Sequence, residues 1–299
     1  MGTPQFAVKT LDELVKKHEV VGVFTNPDKP FGRKQVVSFS EVKKAAINLN
    51  IPVFQPVKFQ DEDINILKQL SPDVVVVVAY GKILPREVLS IPKHGCINVH
   101  GSLLPKYRGA SPIQASIINC EKETGVSIIK MTENLDDGDI LKIHKTPIGL
   151  NETYLELSER LSAMGALAIL EVLKDIEEGT LKRIPQKEEE ATYVTKIKKE
   201  MGKINFNSDA LVVHKLICGL SFWPSAYCFL KGKVLKVYKS ILNEEHSGKP
   251  GEVLDEKKFI VGCGKGAVEF LEVQLQDRKR VSARDFLNGV KLKKGDILE

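Results

Sequence analysis

Val74-Val75-Val76-Val77-Val78-Ala79, opened by Asp73 and closed by Tyr80-Gly81, is the longest apolar run in the chain. It is far shorter than the roughly 18 residues of a membrane span, and it suits a strand buried on both faces, as in a parallel sheet. On its N-terminal side Ile64, Leu67 and Leu70 recur at helical spacing. On its C-terminal side Cys96-Ile97-Asn98-Val99-His100 reads as a later strand, with further strands over residues 126–131 and 140–144. Nearer the start, Phe6, Leu11, Leu14 and Val15 mark a helix. Val20-Val21-Gly22-Val23-Phe24-Thr25 reads as a strand ended by Asn26-Pro27-Asp28. Residues 41–49 read as a helix and Ile51-Pro52-Val53-Phe54 as a short strand. Strands alternating with helices predict an α/β fold with a doubly wound, mostly parallel sheet.

Residues 153–178 form one long helical pattern, with Leu155, Leu157, Leu161, Met164, Leu167, Ile169, Leu170 and Leu173 expected on a broad apolar face, and Gly179-Thr180 as its stop. The first domain is therefore placed at residues 1–180. Residues 181–205 are polar, carry Glu188-Glu189-Glu190, and are expected to be a linker. From Ala226 the texture changes to short β-like runs at residues 226–230, 233–238, 251–254, 259–262 and 268–275, separated by glycine turns. That spacing predicts a small C-terminal antiparallel β-barrel over residues 206–299.

Hydrophobic residues make up 42% and charged residues 28% of the 299, the balance of an ordinary globular chain. Met1-Gly2-Thr3-Pro4 runs straight into a helical pattern, so no secretory leader is expected, and the chain reads as cytoplasmic. The five cysteines, Cys96, Cys120, Cys218, Cys228 and Cys263, are odd in number and contain no CxxC pair. They read as reduced thiols and not as a disulfide framework or metal site. The net charge of +5 sits wholly in residues 201–299, where 17 Lys and Arg face 12 Asp and Glu; residues 1–200 hold 27 of each sign. A basic C-terminal third suits a polyanionic partner, although a solvated lysine-rich surface gives the same count.

Two segments carry chemistry. Asn98 and His100 end a predicted strand two residues apart, so their side chains share a face, at the strand end where open α/β sheets bind ligands. Gly101-Ser102 then turns, and Leu103-Leu104-Pro105 makes an apolar lip suited to a flat heteroaromatic ligand. The second segment is Asn134-Leu135-Asp136-Asp137-Gly138-Asp139. Three carboxylates this close suit a metal, or an acid with a raised pKa, or a simple exposed turn.

Together these pieces resemble the formyltransferase family that uses 10-formyltetrahydrofolate. Its pattern of Asn-x-His, Ser-Leu-Leu-Pro and a later Leu-Asp-x-Gly falls on Asn98, His100, residues 102–105 and Asp136. The resemblance extends to Gly2-Thr3-Pro4-Gln5-Phe6-Ala7, Asn26-Pro27-Asp28-Lys29-Pro30 with Gly32-Arg33, Ala79-Tyr80-Gly81 with Ile83-Leu84-Pro85, Tyr107-Arg108-Gly109 with Pro112-Ile113-Gln114, and Trp223-Pro224. It is strongest to the members that formylate methionyl initiator tRNA. The resemblance implies a Rossmann-like catalytic domain followed by an OB-like barrel that binds tRNA, in a monomer. It implies that Asn98 and His100 stabilise an oxyanion, that Asp136 handles a proton, and that no metal is needed. Ser102, Leu103, Leu104 and Pro105 would then line the folate site. The tRNA would meet Arg33 and Lys34 near the site, and Lys203, Lys231, Lys233, Arg278, Lys279 and Arg280 in the basic third.

The chain departs from these relatives in two places. Lys34-Gln35-Val36-Val37-Ser38-Phe39-Ser40 has one lysine where they carry several. No apolar strand precedes Gly2-Thr3-Pro4, so Met1 is expected to be an internal residue of the natural protein, with about six apolar residues before it completing the sheet. Two other readings stay open. One is formyl transfer to an amino sugar nucleotide; the other is a nucleic-acid-binding protein with a non-catalytic formyltransferase-like domain.

Overall fold

The structure, a computed structural model, describes residues 1–31 and 36–299, with backbone only at 29–31 and 36–37. The chain divides into two compact units. The first comprises Met1–Pro112, Gly125–Thr146 and Ser158–Val194; the second comprises Ile113–Thr124, Pro147–Leu157 and Thr195–Glu299.

In the first unit the apolar run forms the strand Val75–Val78, parallel to Cys96–His100. A second parallel pair joins Val23–Phe24 to Val53–Phe54. Between the pairs, where a preceding strand was expected, stand Met1 and Gly2. The Val78 amide donates to Met1 O (2.9 Å) and the Gly2 amide to Phe24 O (3.0 Å), so two residues join the ladders at that level. The position demands glycine, since a Cβ on Gly2 would lie 2.8 Å from Ala7 Cβ and 2.9 Å from Val78 O. Past Cys96–His100 the sheet changes direction. Glu123–Lys130 runs antiparallel to it, with Asn98 opposite Ile129 and His100 opposite Ser127, and Ile140–Pro147 forms the edge. The α/β fold with a mostly parallel sheet is thus present, with an antiparallel edge that an apolar pattern alone does not encode.

Val75 and Val77, on one face of Val75–Val78, pack with Phe24, Leu67, Leu84 and Val88 into one core, and Val78 on the other face is buried as well, the two-sided burial expected of a parallel strand. Ser40 caps the helix Glu41–Asn48 by accepting from the Lys43 amide. The long helix Tyr154–Glu177 buries Leu161, Ile169 and Leu173. Leu155 and Leu167, expected on that face, point outward at 51% and 57% exposure. At Gly165 the helix crosses the strand Cys96–His100 so closely that a Cβ would stand 2.6 Å from Val99 Cγ1. The strand that carries Asn98 and His100 is therefore clamped from behind.

The second unit holds an antiparallel sheet in the order Ala226–Leu230, Lys233–Asn243, Ala267–Leu275, Ile260–Gly262, Val253–Asp255. Ala226, Cys228 and Leu230 alternate inward, around a core containing Phe259, Phe270 and Phe286. Its two edge strands are joined by the last residues of the chain. Phe229 and Glu299 exchange two backbone bonds (2.7 and 3.0 Å), Leu298 N donates to Gly251 O (2.8 Å) and Val253 N donates to Asp296 O (2.8 Å). This closes the sheet into the expected barrel and removes its open edges. The helix Ala210–Gly219, which the sequence pattern did not reveal, packs against this core. Among the described residues no helix is long and apolar enough to cross a membrane, and the five cysteines are free.

Candidate active site

Strand Cys96–His100 delivers Asn98 and His100, and the turn after Glu123–Lys130 delivers Asp136. The three side chains converge. Asn98 Nδ2 donates to Asp136 Oδ1 at 3.3 Å, and His100 Nδ1 lies 3.6 Å from Asp136 Oδ2. His100 is buried, and its Nε2 faces the Tyr107 carbonyl at 2.9 Å. A carbonyl only accepts, so Nε2 carries a hydrogen and the Nδ1 edge is turned to the carboxylate. The Gly109 amide donates to Asp136 Oδ2 at 2.9 Å.

The turn is built from its own polar residues. Asp136 adopts φ +53, a left-handed conformation that Asp tolerates better than most residues. Gly138 is required, because a Cβ there would meet Lys130 O at 1.7 Å. Asp137 is the turn's brace: it accepts from the Thr132 hydroxyl and from Asn134 Nδ2 (2.9 Å). Burial pushes its carboxyl up, but the bonds from Thr132 and Asn134 and the Arg108 charge outweigh this and hold it below the ordinary Asp value. Of the possible roles for the acidic cluster, Asp137 takes the structural one, and it is not an acid with a raised pKa. No group of three His, Cys, Asp or Glu among the described residues is disposed to hold a metal.

The segment from Ser102 to Pro105 divides by burial. Ser102 and Leu104 are buried. The Ser102 hydroxyl donates to Lys106 O (2.7 Å), Ser127 Oγ donates to Ser102 O (2.7 Å), and Leu104 N donates to Ser127 Oγ (3.0 Å). Leu104 also packs on Ile129 and Ile140. Leu103 and Pro105 remain partly exposed, so they present the surface while their neighbours brace it.

Sequence reasoning assigned no role to Arg108, nor to the stretch 184–194, part of the expected linker. That stretch belongs to the first unit, whose last segment is Ser158–Val194. Ile184 exchanges backbone bonds with Ile140 (2.8 and 2.9 Å), and Tyr193–Val194 pairs in parallel with Arg108–Gly109. Arg108, 1% exposed, puts Nη1 on both Glu188 oxygens (3.0 and 2.8 Å) and on Tyr193 Oη (2.9 Å), and Nε on Gln186 Oε1 (3.1 Å). The one available signal was Tyr107-Arg108-Gly109, singled out by resemblance alone.

The expected tRNA-contacting residues of the second unit are exposed but differ in engagement. Arg280 makes two hydrogen bonds to Glu272 (2.7 and 2.6 Å) and stacks 4.0 Å from the Tyr238 ring centre. Lys231 lies 3.6 Å from Asp296, and Lys203 sits 5.4 Å from the Phe229 ring centre. Lys233 is exposed at a strand start. Arg278 and Lys279 flank a cavity of about 200 Å³ lined also by Leu275, Val281 and Phe286. Arg33 and Lys34 lie outside the described residues.

The formyl transferase family model matches residues 1–173, and the model of the formyl transferase C-terminal domain matches residues 196–291. The methionyl-tRNA formyltransferase of Alkaliphilus oremlandii is 45% identical over 303 residues, covering 100% of this chain and 98% of its own. That of Geobacter metallireducens is 44% identical, covering 99% and 96%. Among solved structures, the sugar 3N-formyltransferase WlaRD superposes with a TM-score of 0.69 at 23% identity, over 93% of this chain and 97% of its own. An N-formyltransferase from Helicobacter canadensis superposes at 0.70 and 22%, over 94% and 97%; at these identities the likeness is one of fold. On the two family models and the full-length relatives, the chain belongs to the formyl transferase family.

Proposed function

We propose that this protein transfers the formyl group of 10-formyltetrahydrofolate to the α-amino group of methionyl initiator tRNA. The observation that carries the reading is similarity at 42–45% identity, end to end, to relatives named for that activity. The likeness to sugar formyltransferases rests on fold and does not select an amino sugar nucleotide.

The amine attacks the formyl carbon. The new C–N bond forms, the bond from carbon to the folate nitrogen breaks, and one proton passes from the amine to the departing nitrogen. Negative charge collects on the formyl oxygen in between. Asn98 Nδ2 is the amide donor for that oxyanion, and one such donor is worth roughly 3 kcal/mol in a transition state. His100 was expected to share the oxyanion with Asn98, but its Nε2–H is held by Tyr107 O and leaves no free donor; instead its Nδ1 edge works with Asp136, and this pair accepts and returns the proton. Asp136 needs a fixed orientation to do this, which the Gly109 amide supplies. Leu103 and Pro105 offer apolar surface to the folate ring, with Ser102 and Leu104 setting the backbone beneath. The exposed cations of the second unit face the tRNA phosphates.

The test is incubation with 10-formyltetrahydrofolate and charged initiator tRNA, and in parallel with an amino sugar nucleotide. Formyl-methionyl-tRNA is the expected product. Formylated sugar alone, or formate released without an acceptor, would overturn the reading.

A further inference from the structure

We propose that Gln186 is a positioning residue for Asp136. Its side-chain Nε2 donates to two main-chain carbonyls of the acidic turn, Asp136 O at 2.8 Å and Gly138 O at 2.7 Å. Its Oε1 accepts from Arg108 Nε at 3.1 Å. The turn it spans holds Asp136 at φ +53, a left-handed conformation that L-residues seldom adopt, and such backbone persists only where its surroundings impose it. Gln186 imposes it from the main-chain side. From the carboxylate side the Gly109 amide does the same, and Gly109 is itself paired to Val194. Arg108, tied to Glu188 and Tyr193, links the two. Residues 184–194 therefore act as a strap that fixes Asp136 at both its backbone and its side chain.

Glutamine alone satisfies this geometry. The two carbonyls need two N–H donors on one nitrogen, and the guanidinium needs an acceptor at the same side-chain end. Glutamate has no N–H to give, lysine has no acceptor, and asparagine is one carbon short. The strap also contributes no residue to the buried apolar core. Tyr193 is 60% exposed and the Glu188 side chain 70%, so losing Gln186 loosens the turn without opening the fold.

The inference rests on the reading of Asp136 as the proton-handling group, and the experiment separates the two. Formyl transfer from 10-formyltetrahydrofolate to methionyl initiator tRNA is measured for the wild type, Gln186→Ala, Gln186→Met, Asp136→Asn and the double variant Asp136→Asn with Gln186→Ala. The two Gln186 variants should lose roughly 10- to 100-fold in kcat, as displacement of a catalytic group by about 1 Å does, with KM for both substrates little changed. The double variant should be no slower than Asp136→Asn alone, because a residue acting only through Asp136 has nothing left to position. A merely structural role would give losses that multiply. Multiplying losses overturn the proposal, as does wild-type turnover in both Gln186 variants beside a crippled Asp136→Asn. A fully active Asp136→Asn would instead overturn the reading of Asp136, and this inference with it.

Discussion

His100 Nδ1 and Asp136 Oδ2 stand 3.6 Å apart, brought together by a strand and a turn 36 positions on in the sequence. The separation is longer than a hydrogen bond, while the other carboxylate oxygen already holds Asn98. The pair thus makes no direct hydrogen bond, so a proton passing between them needs a bridging group, the attacking amine or a water. Asn98→Ala, His100→Ala and Asp136→Asn should each lower turnover by about 100-fold or more while folate still binds, since transition-state groups are being removed. Steady-state kinetics with folate titration check this. Near wild-type turnover in Asp136→Asn would remove the carboxylate from proton transfer.

Gly109 is the junction between strap and carboxylate. Its φ is +113, and a Cβ there would lie 2.3 Å from Val194 O. Gly109→Ala must therefore push residues 193–194 away or strain the backbone, at a cost of about 1–3 kcal/mol. Melting temperature and turnover should fall together. A variant that melts like the wild type would show that the parallel pairing to Arg108–Gly109 contributes little.

The basic residues of the second unit are not equivalent. Arg280 is occupied by Glu272 and Tyr238, so neutralising it should loosen the barrel surface more than it changes tRNA binding. Arg278 and Lys279 are exposed and border a cavity. Replacing both by Gln should raise KM for tRNA and flatten its dependence on log salt by about 0.9 for each phosphate no longer neutralised. A KM and salt slope equal to the wild type would take this pair out of the tRNA footprint.

Much of this arrangement is legible in the sequence because it is local. Asn98 and His100 share a strand face by period-2 spacing, and the Asp136 turn announces itself through Asp, Asn and Gly. The apolar run at residues 74–79 reports a parallel sheet because both of its faces are apolar. What resists reading is non-local. The antiparallel pairing of Cys96–His100 with Glu123–Lys130 is a matter of direction, which side-chain pattern does not carry. The helix Ala210–Gly219 is apolar nearly all round and rich in β-branched residues, so it lacks the polar face that marks a surface helix. Gln186 looks like any residue of a polar linker, because its role depends on carbonyls 48 and 50 positions earlier.

The last expectation concerns acid. His214 is fully buried in the second unit. Its Nε2 faces Leu150 O at 3.1 Å and its Nδ1 the Ser240 hydroxyl at 2.9 Å. A carbonyl accepts and a hydroxyl can donate, so a neutral ring with hydrogen on Nε2 satisfies both. Burial lowers the pKa of this imidazole; the bond to Leu150 opposes the shift, and the neighbouring Lys215 charge adds to it, leaving it below the ordinary His value. In the unfolded chain the same ring takes a proton near pH 6.5. Below that pH, and above the depressed folded value, the unfolded state binds more protons, so stability rises with pH across the window and is lost as pH falls through it. The readout is the difference between proteins. Melting temperature measured from pH 8 to pH 5 should fall less steeply below pH 6.5 for His214→Gln than for the wild type, although His214→Gln starts lower at pH 7.5, because one buried hydrogen-bond partner is lost at about 1–3 kcal/mol. Parallel curves for the two proteins would show that the buried imidazole does not set the acid limit of the second unit.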